Sequence, residues 1–304
     1  MNGTQAPIRF GINLGFCTKR WVTPELWTGV VRERLGLDVV QFSFDLVDPM
    51  WPDAIVDRHA AEVRRAAEAA GITIHSAFIG LAHYSFNQLL HPDPAVRNYA
   101  EYWLGRAYRF AALAGIPRVG GPLGALPARL DGAEAAALDP ADYAELVTRM
   151  HRLGERAAAE GLSELYVEPT PLRREWPWTI AQARQMMNDV ADSAVPWRLC
   201  IDWGHATFAP LYGDVTDGME TWLRDLADVT TAVHIQQTDF AFDRHWDFTV
   251  PGKVDPLEAA ALLRRTGTDT CPVFLEVFYP FEEDSRTILA ALETSCARLK
   301  HALA

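Results

Sequence analysis

Four residues able to hold a cation, Glu168, Asp202, His234 and Glu276, each close a short apolar run: LYVE, RLCID, AVH and VFLE. The gaps between them are 34, 32 and 42 positions. A strand, a loop and a helix together consume about that many residues in a repeating β/α unit. Polar residues at the C-terminal ends of successive parallel strands aim at one point in space. Three carboxylates and an imidazole on one point form a divalent-cation site of mixed oxygen and nitrogen type.

The chemistry available to such a set is specific. Glu168 follows the fifth apolar segment and Glu276 lies in the eighth, so in an eight-strand ring they face each other across the mouth. Asp202 and His234 fill the arc between them. A cation held there binds two adjacent sugar oxygens, polarises a carbonyl and stabilises an enediolate. Two opposed carboxylates can remove a proton from one face of a carbon and return one to the other. That suits inversion beside a ketone, whereas an aldose–ketose isomerase needs only one face.

Several neighbours qualify as substrate contacts. His205 stands three residues after Asp202 in IDWGHA, with Trp203 between them. Arg244 and His245 follow His234 in TDFAFDRHWDF, where Arg244 can clamp a hydroxyl or a phosphate, or pair with Asp243 or Asp247. His75 lies in the third apolar run, either as a core histidine or as a contact, with His83 and Tyr84 in the loop beyond it. Trp21, Trp51, Trp176, Trp203 and Trp246 gather in loops on the same side, either as stacking surfaces for a sugar or as plugs of the mouth. Lys19 and Arg20 leave the first run and Arg173 and Arg174 the fifth, offering donors for a phosphate or merely solvated loop charge.

These residues need a scaffold, and the rest of the chain supplies one. Eight strand candidates read IRFGINLGF, LDVVQFSF, ITIHSAFI, IPRVGG, ELYVEPT, WRLCIDW, TAVHIQQTD and CPVFLEVF. Several are continuous apolar runs, as expected of parallel strands covered on both faces. Between them lie Ala- and Leu-rich segments at helical period. Thr23-Pro24, Asp93-Pro94, Asp139-Pro140 and Asp255-Pro256 each read as an N-cap followed by Pro at the first helical position. Gly36, Gly71, Gly115 and Gly161 read as the glycines that end helices. The pattern predicts one (β/α)8 TIM barrel of the α/β class over residues 1–304. A doubly wound open sheet is the competing architecture, but no GxGxxG follows the first strand. The segments GLAHYSFNQLLHPDP and PTPLRREWPW are long enough to cover a substrate.

Bulk properties narrow the function. The chain has 304 residues and a formal charge of −12, which argues against a nucleic-acid partner but not against a small anion. Cys17, Cys200, Cys271 and Cys296 form no metal-like spacing and read as small hydrophobes in a reducing compartment. No apolar run reaches membrane length and the N-terminus has no export pattern, so a cytoplasmic enzyme is expected. Its partner is then a small-molecule sugar or sugar phosphate, and a homo-oligomer is compatible with these properties.

Taken together, YVEPT, IDWGH, VHIQQTD and FLEVF resemble the sugar phosphate isomerase/epimerase superfamily with its xylose-isomerase-like barrel, and within it the ketose 3-epimerases. The resemblance implies Mn2+, Mg2+ or Co2+ held by Glu168, Asp202, His234 and Glu276, with Glu168 and Glu276 doubling as acid and base. It implies substrate contacts from His205 and Arg244, although Arg244 lies further from His234 than in the sugar epimerases. PGKVDPLE is similar to the family's GxGxxD turn, with Pro251 in place of the first Gly. The opening INLGFCTKRW and the loop GLAHYSFNQLLHPDP instead resemble a subgroup of tetritol catabolism that epimerises erythrulose 1-phosphate at C3. Competing readings are a metal-dependent aldose–ketose isomerase, an endonuclease IV-like nuclease and a non-catalytic sugar-binding barrel.

Overall fold

The computed structural model describes residues 6–132, 138–212 and 218–304. The strands are β1 (Phe10–Asn13), β2 (Val39–Ser43), β3 (Thr73–Phe78), β4 (Arg118–Gly121), β5 (Glu164–Val167), β6 (Trp197–Asp202), β7 (Thr230–Ile235) and β8 (Val273–Leu275). Each hydrogen-bonds in parallel to the next, and β8 returns to β1, closing a barrel in sequence order. The continuous apolar runs have the burial expected of them, since β1, β2 and β8 are buried at every position. The inner face carries Val39, Phe78, Tyr166, Cys200, Ala232 and Phe274, and a larger apolar layer lies between strands and helices. Among the described residues no helix is long and apolar enough to cross a membrane.

Helix boundaries follow the sequence signals with one exception. Asp93, Asp139 and Asp255 accept hydrogen bonds from backbone N–H groups two residues on, at 2.8–2.9 Å. Gly36, Gly71, Gly115 and Gly161 all adopt positive φ, between 61° and 85°, the backbone state that ends a helix without a Cβ penalty. Thr23 makes no side-chain cap, and its carbonyl instead accepts from Leu26 and Trp27.

Strands are shorter than the apolar runs suggest, for a local reason. After β1 the side chain of Asn13 accepts from the backbone N–H of Gly15 at 2.7 Å and turns Leu14–Cys17 into a 3-10 turn. The two covering segments also take shape. GLAHYSFNQLLHPDP begins with a short helix, Gly80–Tyr84. PTPLRREWPW is pinned by an antiparallel bridge between Ala125 and Glu175.

Candidate metal centre and active site

Register places the ligand candidates in one layer. Asp202 ends β6 opposite His234 on β7, and Glu168 and Glu276 are the first residues beyond β5 and β8. All four are buried, and their ligand atoms lie within 4.8 Å of one another. His234 Nδ1 stands 2.7 Å from Glu168 Oε1 and 3.0 Å from Glu276 Oε2. Donors about 2.1 Å from one cation stand roughly 3 Å from each other, so these separations suit a shared ion. Glu168 Oε1, Asp202 Oδ2 and His234 Nδ1 are buried without a hydrogen-bond partner, the condition a bound cation would relieve.

A polar layer beneath the four orients two of them, His234 and Glu276. Gln41 Oε1 accepts from His234 Nε2 at 2.7 Å and from Asn13 Nδ2 at 2.6 Å, while Gln41 Nε2 donates to Tyr166 Oη and Ser76 Oγ. With its Nε2 proton directed at Gln41, the ring turns Nδ1 toward the carboxylates, the atom a cation would take once its own proton leaves. Asn13 Nδ2 also donates to Glu276 Oε1 at 3.0 Å, which leaves Oε2 for the cluster. The residues present fit a divalent cation.

Electrostatics pull the four in different directions. Burial raises Glu168 and Asp202 above the usual carboxylate range. Burial also acts on Glu276, but His234, His245 and His205 outweigh it and hold Glu276 low. Burial opposes a charge on His234, yet Cys200, Glu276 and Glu168 carry its pKa well above the usual range. Cys200 is itself pushed up by burial to about 12 and is a neutral thiol at neutral pH, so the carboxylates do this.

Beside this layer lies a second group. His205 Nδ1 donates to the carbonyl of Pro169 at 2.9 Å, and its Nε2 faces Asp243 Oδ2 at 3.1 Å. His245 Nε2 reaches the same oxygen at 2.9 Å. Gln236 Nε2 ties the group to the first layer, donating to Asp243 Oδ1 and Asp202 Oδ1 at 2.7 and 2.9 Å. Gly204 makes this possible, because a Cβ there would come within 2.6 Å of the Gln236 amide. Burial opposes charge on both rings, but Asp243 raises His205 well above its usual range and His245 to about 9. Asp243, although partly desolvated, is held well below the carboxylate range by His245 and His205.

Glu168 and Glu276 of the first group and His205, Asp243 and His245 of the second line a cavity of about 120 Å3, whose walls also include Tyr84, Thr170, Phe78 and Phe278. Tyr84 donates its hydroxyl to Glu175 at 3.0 Å, and Thr170 donates its own to the other Glu175 oxygen. Burial raises the carboxyl of Glu175 against these two hydroxyls, which favour its ionised form.

Of the residues singled out from sequence, Glu168, Glu276, His205, His245 and Tyr84 line this cavity, and Asp202 and His234 join the two glutamates in the ligand cluster. Trp203, His75, Arg244, Lys19 and Arg20 do neither. Trp203 packs in the outer apolar layer, and His75 sits against Phe274 lower in the barrel, its pKa pulled to about 3 by burial, Arg118 and Arg9. Arg244 pairs with Asp239 at 2.7 Å and lies over the rings of Phe242 and Trp246. Lys19 sits over Phe281, and Arg20 donates to the carbonyl of Pro280 at 2.6 Å. In the loop after β7 the chain alternates, so Asp243 and His245 point inward where Arg244 points out. Asp243 was considered only as a partner for Arg244, and Gln236, Gln41, Asn13 and Glu175 were not anticipated; Gln41 and Asn13, polar residues interrupting apolar runs, gave a signal.

A closed parallel barrel with a carboxylate and imidazole cluster at its C-terminal mouth defines the class. Residues 32–295 match the xylose isomerase-like TIM barrel family, and the chain belongs to that family. A Rhodospirillum rubrum protein provisionally named a xylose isomerase is 39% identical, with a TM-score of 0.91 over 97% of this chain and 99% of that one. D-erythrulose 1-phosphate 3-epimerase of Brucella abortus (strain 2308) is 24% identical over 95% of this chain and 94% of its own length. D-psicose 3-epimerase from Clostridium cellulolyticum H10 shares the fold, with a TM-score of 0.72 at 14% identity over 97% of this chain and 99% of its own.

Proposed function

We propose that the chain is a metal-dependent ketose 3-epimerase in which Glu168, Asp202, His234 and Glu276 hold manganese, magnesium or cobalt. The observation that carries this reading is the pair of glutamates beyond β5 and β8, both lining one small cavity and both within 3.0 Å of His234 Nδ1. A cation bound there supplies Lewis acidity to a ketone oxygen and its neighbouring hydroxyl. Glu168 and Glu276 do the proton transfer: one takes the C3 proton of a ketose from one face, and the other returns a proton to the opposite face. The sugar passes through an enediolate between the two transfers. Asn13 steadies Glu276. Phe78 and Phe278 keep the reacting carbon out of bulk water. The Brucella relative, named for inversion at C3, supports the assignment.

The second reading is a 1,2-isomerase, favoured by the name of the Rhodospirillum relative. It moves a proton between C1 and C2 on one face and needs only one of the glutamates. Glu168→Gln and Glu276→Gln therefore decide between them when metal content is measured beside activity. Both variants should lose turnover by at least about 100-fold, as expected when a positioned acid or base is removed. Near-normal turnover by either variant, with the metal retained, contradicts the two-base reading.

A further inference from the structure

One wall of the cavity, formed by Tyr84 and Thr170, has an unusual hydrogen-bond polarity. A hydroxyl carries one proton. The proton of Tyr84 is directed at Glu175, 3.0 Å away, and that of Thr170 at the other oxygen of the same carboxylate. Both hydroxyls therefore turn only lone pairs toward the cavity. Of the imidazoles that line it, His205 spends Nδ1 on Pro169 and Nε2 on Asp243, and His245 spends Nε2 on Asp243 at 2.9 Å, with Nδ1 3.6 Å from Glu276. The remaining polar lining is carboxylate, from Glu168, Glu276 and Asp243, and no lysine or arginine lines the cavity among the described residues.

A phosphate needs donors and a positive field, best supplied by Arg, Lys or free N–H groups. The Tyr84 and Thr170 wall offers no donor, and the cationic rings at the cavity, His205 and His245, are already paired with Asp243. A sugar hydroxyl, by contrast, brings its own donor to an acceptor. The cavity of about 120 Å3, half open to solvent, accommodates a short polyol chain. We propose that Glu175 acts as a positioning residue that sets substrate class: by fixing the Tyr84 and Thr170 hydroxyls as acceptors, it makes the cavity select an unphosphorylated short-chain ketose over its phosphate ester. This rests on the ketose-epimerase reading for the substrate type, and it departs from the phosphate named for the Brucella relative.

The test is equilibrium binding by calorimetry to the Mn2+-loaded protein, using a four-carbon ketose and its 1-phosphate. The free ketose should bind at least about tenfold more tightly, the factor expected where a site's polar groups match one ligand and oppose the other. In Glu175→Gln the carboxamide NH2 donates to one hydroxyl, which then turns its own proton to the cavity. That variant should shift the preference toward the phosphate by about tenfold. Thr170→Val removes one acceptor and should weaken the free ketose by a similar factor without improving the phosphate. Tighter binding of the phosphate by the wild type, binding of neither ligand, or an unchanged ratio in folded Glu175→Gln overturns the proposal. Solvent deuterium exchange at C3, followed separately by NMR, reports on the epimerase reading. Selective binding without exchange refutes that reading and leaves the wall's selectivity standing.

Discussion

Replacing Gln41 by Met tests whether the layer under the metal ligands sets metal affinity. The two side chains are similar in length, but Met lacks the oxygen that accepts from His234 Nε2 at 2.7 Å and from Asn13 Nδ2 at 2.6 Å. Asn13 keeps its bond to Glu276, so the main loss falls on His234, whose Nε2 is left buried with no acceptor. Losing one hydrogen bond costs about 1 kcal/mol, and stranding the buried donor adds about 1–3 kcal/mol. Part of that cost is relieved when the ring moves its proton to Nδ1, but this tautomer cannot bind a cation at Nδ1. The affinity for Mn2+ should therefore fall by about 2 kcal/mol, or roughly thirtyfold, within the range typical of groups that orient metal-binding histidines. Calorimetric titration measures it, with circular dichroism to establish that the variant is folded. Gln41→Glu keeps an oxygen toward His234 and should bind Mn2+ more tightly than Gln41→Met. Unchanged affinity in folded Gln41→Met refutes the reasoning.

Other consequences are equally direct. Asp243→Asn removes the carboxylate that raises His245 to about 9 against burial, so the NMR titration midpoint of His245 should fall below that of the wild type. Arg244→Ala, Lys19→Ala and Arg20→Ala should each change kcat/KM by no more than about twofold, the scale of surface substitutions, because none of these residues lines the cavity; a tenfold loss in any of them contradicts the placement. Glu101 is buried against Arg149 and hydrogen-bonded by Arg152. Burial raises its pKa, but these arginines hold it below the usual range, so its stabilisation is present above the unfolded carboxyl pKa and is lost as pH falls through the folded one. Glu101→Gln should thus cost about 3 kcal/mol at pH 7 and progressively less at acid pH, read from denaturant midpoints; a pH-independent loss contradicts it.

The barrel was legible, and so was the convergence of the four candidate ligands, because both repeat. Each ligand sits at the same point of a β/α unit, and the Asp-Pro starts and glycine stops mark the units independently. Direction within loops was not legible. DRH reads as an Arg beside a His, but whether Asp243, Arg244 or His245 enters the site depends on the local turn, where Asp239 accepts from Ala241 and Phe242 and captures Arg244. Side chains that act through others were also hidden. Glu175 looks like loop charge until Tyr84, 91 positions away in sequence, is seen to bond it. His75 and Trp203 occupy suggestive sequence positions, yet one points into the lower barrel and the other into the outer layer, a choice made by tertiary packing rather than by local pattern.

The most direct test of the account incubates the Mn2+-loaded enzyme with free tetruloses and pentuloses in D2O and follows the sugar by NMR. Proton transfer by Glu168 and Glu276 on opposite faces predicts deuterium at C3, a product that is still a ketose, and inverted configuration at that carbon. An aldose product carrying label at C2, with C3 unlabelled and its configuration retained, would contradict the account.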